Sequence, residues 1–233
     1  MDWILQGIKE AILLLLHGDK EVIGITLLTL RVSCTATLIS VLIGVPIGYL
    51  LAFYNFPGRK FFVSMVNLGM GFPPTVVGLW VFILLSRNGP LGDWELLYSP
   101  VAIIIAQAII ASPIVMGFSV AAFQQLNPKI RVQILSLGAS QLQLMFLLVR
   151  EAWLGLMAAV MAGFGGVISE VGASMMVGGN IRGETRTLTT AMVMEVSKGQ
   201  EDLAIALSLI LLCLAYLVVV VLTMNQQRGR TIQ

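Results

Sequence analysis

Five apolar runs dominate the chain, each longer than the roughly 20 residues a helix needs to cross a bilayer core. Ile23–Tyr54 is interrupted by one charge, Arg31, and Ala152–Ile181 by one, Glu170. Phe61–Ser86, Leu96–Pro128 and Leu203–Gln227 carry none. None alternates apolar and polar residues as a barrel strand does, and in lipid only a helix satisfies its backbone within one segment. Five transmembrane helices are therefore expected. Ahead of them, Trp3, Ile4, Ile8, Ile12 and Leu15 surround Lys9 and Glu10. That stretch is too short and too charged to span, and an interfacial helix is expected there. A signal peptide is the alternative, but Asp2 stands where a basic start would be. The expected fold is an all-α polytopic membrane protein, one domain over residues 1–233.

Composition narrows the function. The hydrophobic set is 58% of 233 residues and charged residues are 11%, against about 25% charged in soluble domains. This excludes an ordinary soluble enzyme, a disordered chain and a nucleic-acid binder, and a net charge of +2 is too small to attract a polyanion. Cys34 and Cys213 lie far apart in apolar runs, and His17 is the only histidine, so neither a metal site nor a catalytic triad can be read. No lysine precedes Ser or Thr, so there is no phosphate-binding loop. No catalytic residue, metal or cofactor is expected in this chain, and any chemical energy must come from a partner.

Five spans place alternate loops on opposite sides. One side holds Arg59, Lys60, Lys129, Arg131, Arg150, Arg228 and Arg230 against Glu151. The other holds Lys9, Lys20, Arg87, Arg182, Arg186 and Lys198, diluted by ten acids. The concentration of bases in short loops predicts that the first side is cytoplasmic, with the N-terminus outside and the C-terminus inside.

The longest inside segment, Gln124–Glu151, has helix signals. Pro128 starts a helix, Gly138 ends it, and Ser140 caps a second that runs into the fourth span. This hairpin resembles the coupling loop of ABC importer permeases, whose pattern is Glu-Ala-Ala, three residues, Gly, then Leu-Pro. Leu137-Gly138-Ala139-Ser140 fits it; Val132-Gln133-Ile134 stands in place of Glu-Ala-Ala, and Val149-Arg150 in place of Leu-Pro. An ordinary helical hairpin is the alternative. Further on, Glu170, Gly172, Ala173, Gly179, Asn180, Ile181, Thr187 and Leu188 match the Glu-Phe-Gly-Ala … Gly-Asn-Ile … Thr-x-Thr-Leu segment of molybdate and sulfate permeases, with Val171 in place of Phe. From about Gly24 to the last span, the chain is similar to the tungstate ABC transporter permeases.

That resemblance implies a type I ABC importer permease fold in a prokaryotic cytoplasmic membrane, working as a homodimer. Two copies of an ATPase subunit, holding ATP and Mg, would bind the cytoplasmic loops through Gln133, Leu137, Gly138, Ala139 and Ser140. An extracytoplasmic binding protein would deliver the oxyanion, tungstate or else molybdate or sulfate. The family's logic favours neutral donors for a dianion, and the candidates are Ser169, Ser174, Asn180, Thr187, Thr189 and Thr190. Local capping or helix packing is the alternative use of each. A stand-alone channel or secondary transporter is the competing class, but five spans do not divide into equal repeats.

Other features bear on the pathway. Gly69, Gly71, Pro73 and Pro74 interrupt the second span, as a pathway-lining break or a packing kink. Ser112-Pro113 suggests a packing kink in the third. Small residues at Gly44 and Gly48, at Gly155, Ala159 and Gly163, and at Gly165, Ser169 and Ala173 read as close-packing stripes. Arg31 and Glu170 fall at similar depth with opposite sign. They suggest an intramembrane pair, within a subunit or across a dimer. Alternatively Arg31 snorkels to the headgroups while Glu170 caps or hydrogen-bonds locally.

Overall fold

A computed structural model describes residues 7, 9, 11, 13, 14 and 17–228, with the backbone alone at 228. Most of the expected interfacial helix Trp3–Leu16, and Arg230, lie outside the described residues.

Helix α1, Lys20–Phe53, starts where the Asp19 carboxylate accepts the N–H groups of Glu21 and Val22. Its 34 residues extend about 50 Å, well beyond a bilayer core of about 30 Å. Helix α4, Pro100–Gln124, has Ser99 as its cap and Pro100 in its first turn, where a missing N–H costs nothing. These two helices form the spine of the bundle. Their backbones approach at Gly44 and Gly48: a Cβ there would lie 2.9 Å from Val115 and 2.6 Å from Ser119. Within the expected fourth span, Ala152–Ile181, only Trp153–Ile168 forms the helix α7, which seats against α4. A Cβ on Gly155 would meet Ala122 at 2.6 Å, and one on Gly163 would meet Val115 at 2.8 Å. Two of the three small stripes are thus packing seams. Gly165, in the third, has open space around it, and Ser169 is exposed.

Among the described residues three helices, α1, α4 and the last one, are by themselves long and apolar enough to cross a membrane, and the five expected spans are reached only by counting each of two bent helix pairs as one span. The expected second span is one of those pairs and not a single helix. It consists of α2, Arg59–Met70, and α3, Pro74–Leu85, bent by 101°. Pro74 provides no N–H and Pro73 stays extended, so the ladder stops at Met70. Pro113, by contrast, sits inside an uninterrupted α4.

The Gln124–Glu151 segment forms α5, Pro128–Ser136, and α6, Gln141–Glu151. The latter meets α7 at a 75° bend at Ala152 rather than running straight into it. Beyond α7, a break at Ser169–Val171 leads to the short α8, Gly172–Gly178. Then come α9, Leu188–Ser197, and the last span, α10, Glu201–Arg228.

Four apolar clusters hold the bundle among the described residues, one of them the small Ala36, Ala108, Ala111 and Val167 contact between α1, α4 and α7. Tyr49, Phe123, Leu144, Leu148 and Leu156 fill the space beneath the α5–α6 hairpin. Val32, Val77, Val81, Ile103, Ala106 and Val177 join α3 and α8 to the spine. Val22, Ile25, Leu188, Leu207 and Ile210 attach α9 and α10 at the end opposite the hairpin.

Candidate functional site

The hairpin is built from its turn outward. Gly138 adopts φ +82°, a left-handed conformation costly for other L-residues, and its missing Cβ would touch nothing. Backbone freedom, not space, is what the position requires. Ser140 then caps α6 in a reciprocal box: its Oγ accepts the Gln143 N–H, and the Gln143 side chain accepts the Ser140 N–H. Leu144 and Leu148 anchor α6 in the core, while Leu137 is 88% exposed and Val132, Leu142 and Phe146 are each more than 60% exposed. Gln133, Gly138 and Ser140 are exposed beside them, with Ala139 half-buried. The result is a projection with a fixed base and an uncovered apolar crest.

Its attachment to the spine runs through Arg131, one of the basic residues of the inside segment. Arg131 donates from Nη1 to the Phe53 carbonyl at 3.0 Å, and its guanidinium lies 5.6 Å from the Phe53 ring centroid and 5.4 Å from that of Tyr54. Arg59 similarly donates from Nε to the Leu51 carbonyl at 2.7 Å. Two cations thus satisfy terminal carbonyls of α1, where the helix dipole is negative. Arg131 stands 78 positions from Phe53, so nothing local specifies this contact.

The other candidate region centres on Glu170. No ion pair joins it to Arg31 among the described residues, and Arg31 is exposed on α1. The two charges therefore do not pair within the chain, and Glu170 follows the alternative of local hydrogen bonding. Instead Glu170, buried, accepts the Ala173 N–H at 3.0 Å, the Ser174 N–H at 3.0 Å and the Ser174 hydroxyl at 3.1 Å. The carboxylate faces the start of α8 and completes the hydrogen bonds that the break leaves open. Ser174 in turn accepts from Gln107 Nε2 at 3.2 Å, which ties α8 to α4. Gly172 and Gly78 let α8 close on α3. A Cβ on Gly172 would fall 2.7 Å from Thr75, and one on Gly78 would fall 2.6 Å from the Ala173 Cα.

The remaining expected donors are engaged by the fold. Thr187 caps α9 in a box with Thr190, and the Thr189 hydroxyl donates to the Glu170 carbonyl at 3.0 Å. The Leu188 N–H reaches across to Thr29 Oγ1 at 2.9 Å. Thr187, Thr189 and Thr190 are all buried. Asn180 takes a left-handed φ of +51° in the turn after Gly179, with its amide 3.5 Å from the Thr190 carbonyl. The Ser169 hydroxyl donates back to Gly165 at 2.8 Å. Local capping and packing account for these groups, so the structure does not assemble them into an open donor site. Pro73 and Pro74 do lie exposed, at the α2–α3 bend.

Charges cluster at the end opposite the hairpin. Glu21 holds both Arg182 and Arg186, and Lys198 pairs with Glu195 at 3.0 Å. The hydrogen bonds that Arg182 donates to Glu21, then the charge of Glu21, hold the exposed Arg182 guanidinium above its usual pKa. A cavity of about 610 Å³ opens between these groups, its charges largely paired with one another.

Comparison with known proteins gives a consistent result. The chain is 42% identical over 197 residues to a probable anion ABC transporter permease protein of Haloferax volcanii, covering 82% of this chain and 85% of that one. It is 40% identical over 216 residues to the tungstate uptake system permease protein TupB of Peptoclostridium acidaminophilum, covering 93% and 95%. Its backbone superposes on an inward-facing structure of the MetNI methionine ABC transporter with TM-score 0.68 at 20% identity, covering 88% and 93%, a likeness of fold alone. Residues 44–230 match the family described as binding-protein-dependent transport system inner membrane component. With most of its length inside that match, the chain belongs to this family, as the membrane subunit of an ABC importer.

Proposed function

We propose that this subunit carries a tetrahedral oxyanion, tungstate in the first place, across the cytoplasmic membrane of a prokaryote. It works as one permease domain over residues 1–233, paired with a second copy. The N-terminus faces outward and the hairpin and C-terminus face the cytoplasm, following the distribution of basic residues. Two ATPase subunits, which hold ATP and Mg, dock on the paired hairpins, and an extracytoplasmic binding protein supplies the anion.

The observation that carries this reading is the hairpin. A surface of Val132, Leu137, Leu142 and Phe146 left uncovered by the chain invites a protein partner. Its base is fixed by Leu144, Leu148 and Arg131, so a push on the crest reaches α1 and α4 without being absorbed by a loose loop. Tungstate is favoured by the 40% identity to the tungstate permease along nearly the whole chain. Chemistry inside this chain is not needed for the cycle: closure of the ATPase pair supplies the work, and the permease changes which side its pathway faces.

The test is reconstitution with an importer ATPase and an oxyanion-binding protein from the same organism. Expected is ATP-dependent uptake of tungstate into vesicles that requires both partners, with molybdate and sulfate competing less well. Better uptake of molybdate or sulfate than tungstate moves the substrate assignment. Uptake that needs neither ATPase nor binding protein overturns the importer reading in favour of a channel or secondary transporter.

A further inference from the structure

The hydroxyls around residues 169–190 are engaged by the fold, so the groups that meet a passing anion lie elsewhere. Asn67 and Gln107 are the amides within the interior of the span helices. Gln107 is buried and bonded to Ser174. Asn67, on α2, is exposed and its side chain makes no hydrogen bond among the described residues, and the same holds for the side chains of Ser64 and Thr75.

Helix α2 has two distinct faces. Phe62, Met65 and Val66 line a cavity against Ile47, Leu50 and Met116, and Gly69 presses on Pro113, where a Cβ would fall 2.7 Å from the ring. At 3.6 residues per turn, Lys60, Ser64, Asn67 and Gly71 project as a stripe about 60° wide, centred opposite that apolar face. The helix has no buried residue at all. The stripe leads to the 101° bend, beyond which Thr75 is exposed beside Gly172, at the break that begins α8. An amide with no partner is costly to leave against lipid, so this face requires water or a polar partner.

We infer that Ser64, Asn67 and Thr75 line the route of the transported oxyanion, with Lys60 where the route opens beside the hairpin. This inference rests on the importer reading above. A tetrahedral dianion presents only acceptor oxygens, and the Asn67 amide and the two hydroxyls provide neutral donors. Neutral donors orient an anion without the tight hold of a buried cation, which suits passage. The carboxylate at the start of α8, Glu170, has both oxygens occupied by the Ala173 and Ser174 N–H groups and the Ser174 hydroxyl.

The experiment uses the complex reconstituted in vesicles with its ATPase and binding protein. Asn67→Leu is expected to lower tungstate uptake about tenfold or more, the scale of losing a hydrogen bond to a charged group, while substrate-stimulated ATP hydrolysis continues. Asn67→Ser, which retains a donor, recovers part of the uptake. In a Cys34→Ser, Cys213→Ser background, Asn67→Cys is expected to react with an anionic methanethiosulfonate reagent and to be slowed by tungstate, while Phe62→Cys stays unreactive. Normal uptake by Asn67→Leu together with labelling indifferent to tungstate overturns the assignment. So does an Asn67→Cys that resists the reagent but cross-links to the same position of a second copy, which would make this face a subunit contact. Absence of ATP-dependent oxyanion uptake by the unsubstituted complex overturns the importer reading itself, and this assignment with it.

Discussion

Glu170→Gln separates the two readings of a lone carboxylate within a span. In the native chain, one carboxylate oxygen accepts the Ala173 N–H and the other accepts both the N–H and the hydroxyl of Ser174. Glutamine keeps one acceptor oxygen and points an amide NH₂ at the remaining donors. One backbone N–H at the start of α8 then lacks a partner, at about 1–3 kcal/mol. The surviving bonds lose charge assistance, worth roughly half their strength. Removing a buried charge relieves part of the desolvation cost in return. The net loss is about 2 kcal/mol, which for a chain of 150–250 residues lowers Tm by roughly 4–8 °C. Arg31→Gln alters an exposed group with no ion pair among the described residues and should stay within about 0.5 kcal/mol. Thermal unfolding of the assembled complex in detergent measures both. The capping account is refuted if Arg31→Gln destabilises as much as Glu170→Gln and the double variant is no worse than either, because that pattern belongs to a pair formed across two copies.

Three further outcomes follow from the hairpin and its charges. Arg131→Ala removes a charge-assisted hydrogen bond and two ring contacts, about 2–4 kcal/mol of local stability. It should leave assembly intact while reducing substrate-stimulated ATP hydrolysis, with Arg131→Lys giving partial recovery; full stimulation in Arg131→Ala argues against a rigid base. Gly138→Leu forces a branched side chain into φ +82°, about 1–2 kcal/mol of strain, and should uncouple hydrolysis from substrate, whereas Gly138→Asn, which tolerates this conformation, should retain coupling. In a cysteine-free background, Gln125→Cys should react with an impermeant maleimide from the cytoplasmic side alone and Asp93→Cys from the outside alone; the reverse pattern inverts the orientation.

The apolar runs and the hairpin were legible in the sequence because their causes are local. Run length against bilayer thickness fixes a span, and Pro128, Gly138 and Ser140 each act on the backbone within a turn of themselves. The break at Pro73-Pro74 was equally local, but its 101° angle was not, since two prolines end a helix without saying where the next one points. The partners of polar side chains were set by tertiary structure. Thr29 meets Leu188 across 159 positions, Arg131 meets Phe53 across 78, and Gln107 meets Ser174 across 67. A threonine that caps a helix and one that faces a water-filled route are the same residue in sequence. Only the folded chain settles which hydroxyls are already engaged, as at Thr187, Thr189 and Thr190, and which have no partner among the described residues, as at Ser64 and Thr75. Equal depth and opposite sign likewise brought Arg31 and Glu170 together in one dimension. In three, the backbone N–H groups of α8 lie closer to that carboxylate, and the nearest donors claim it.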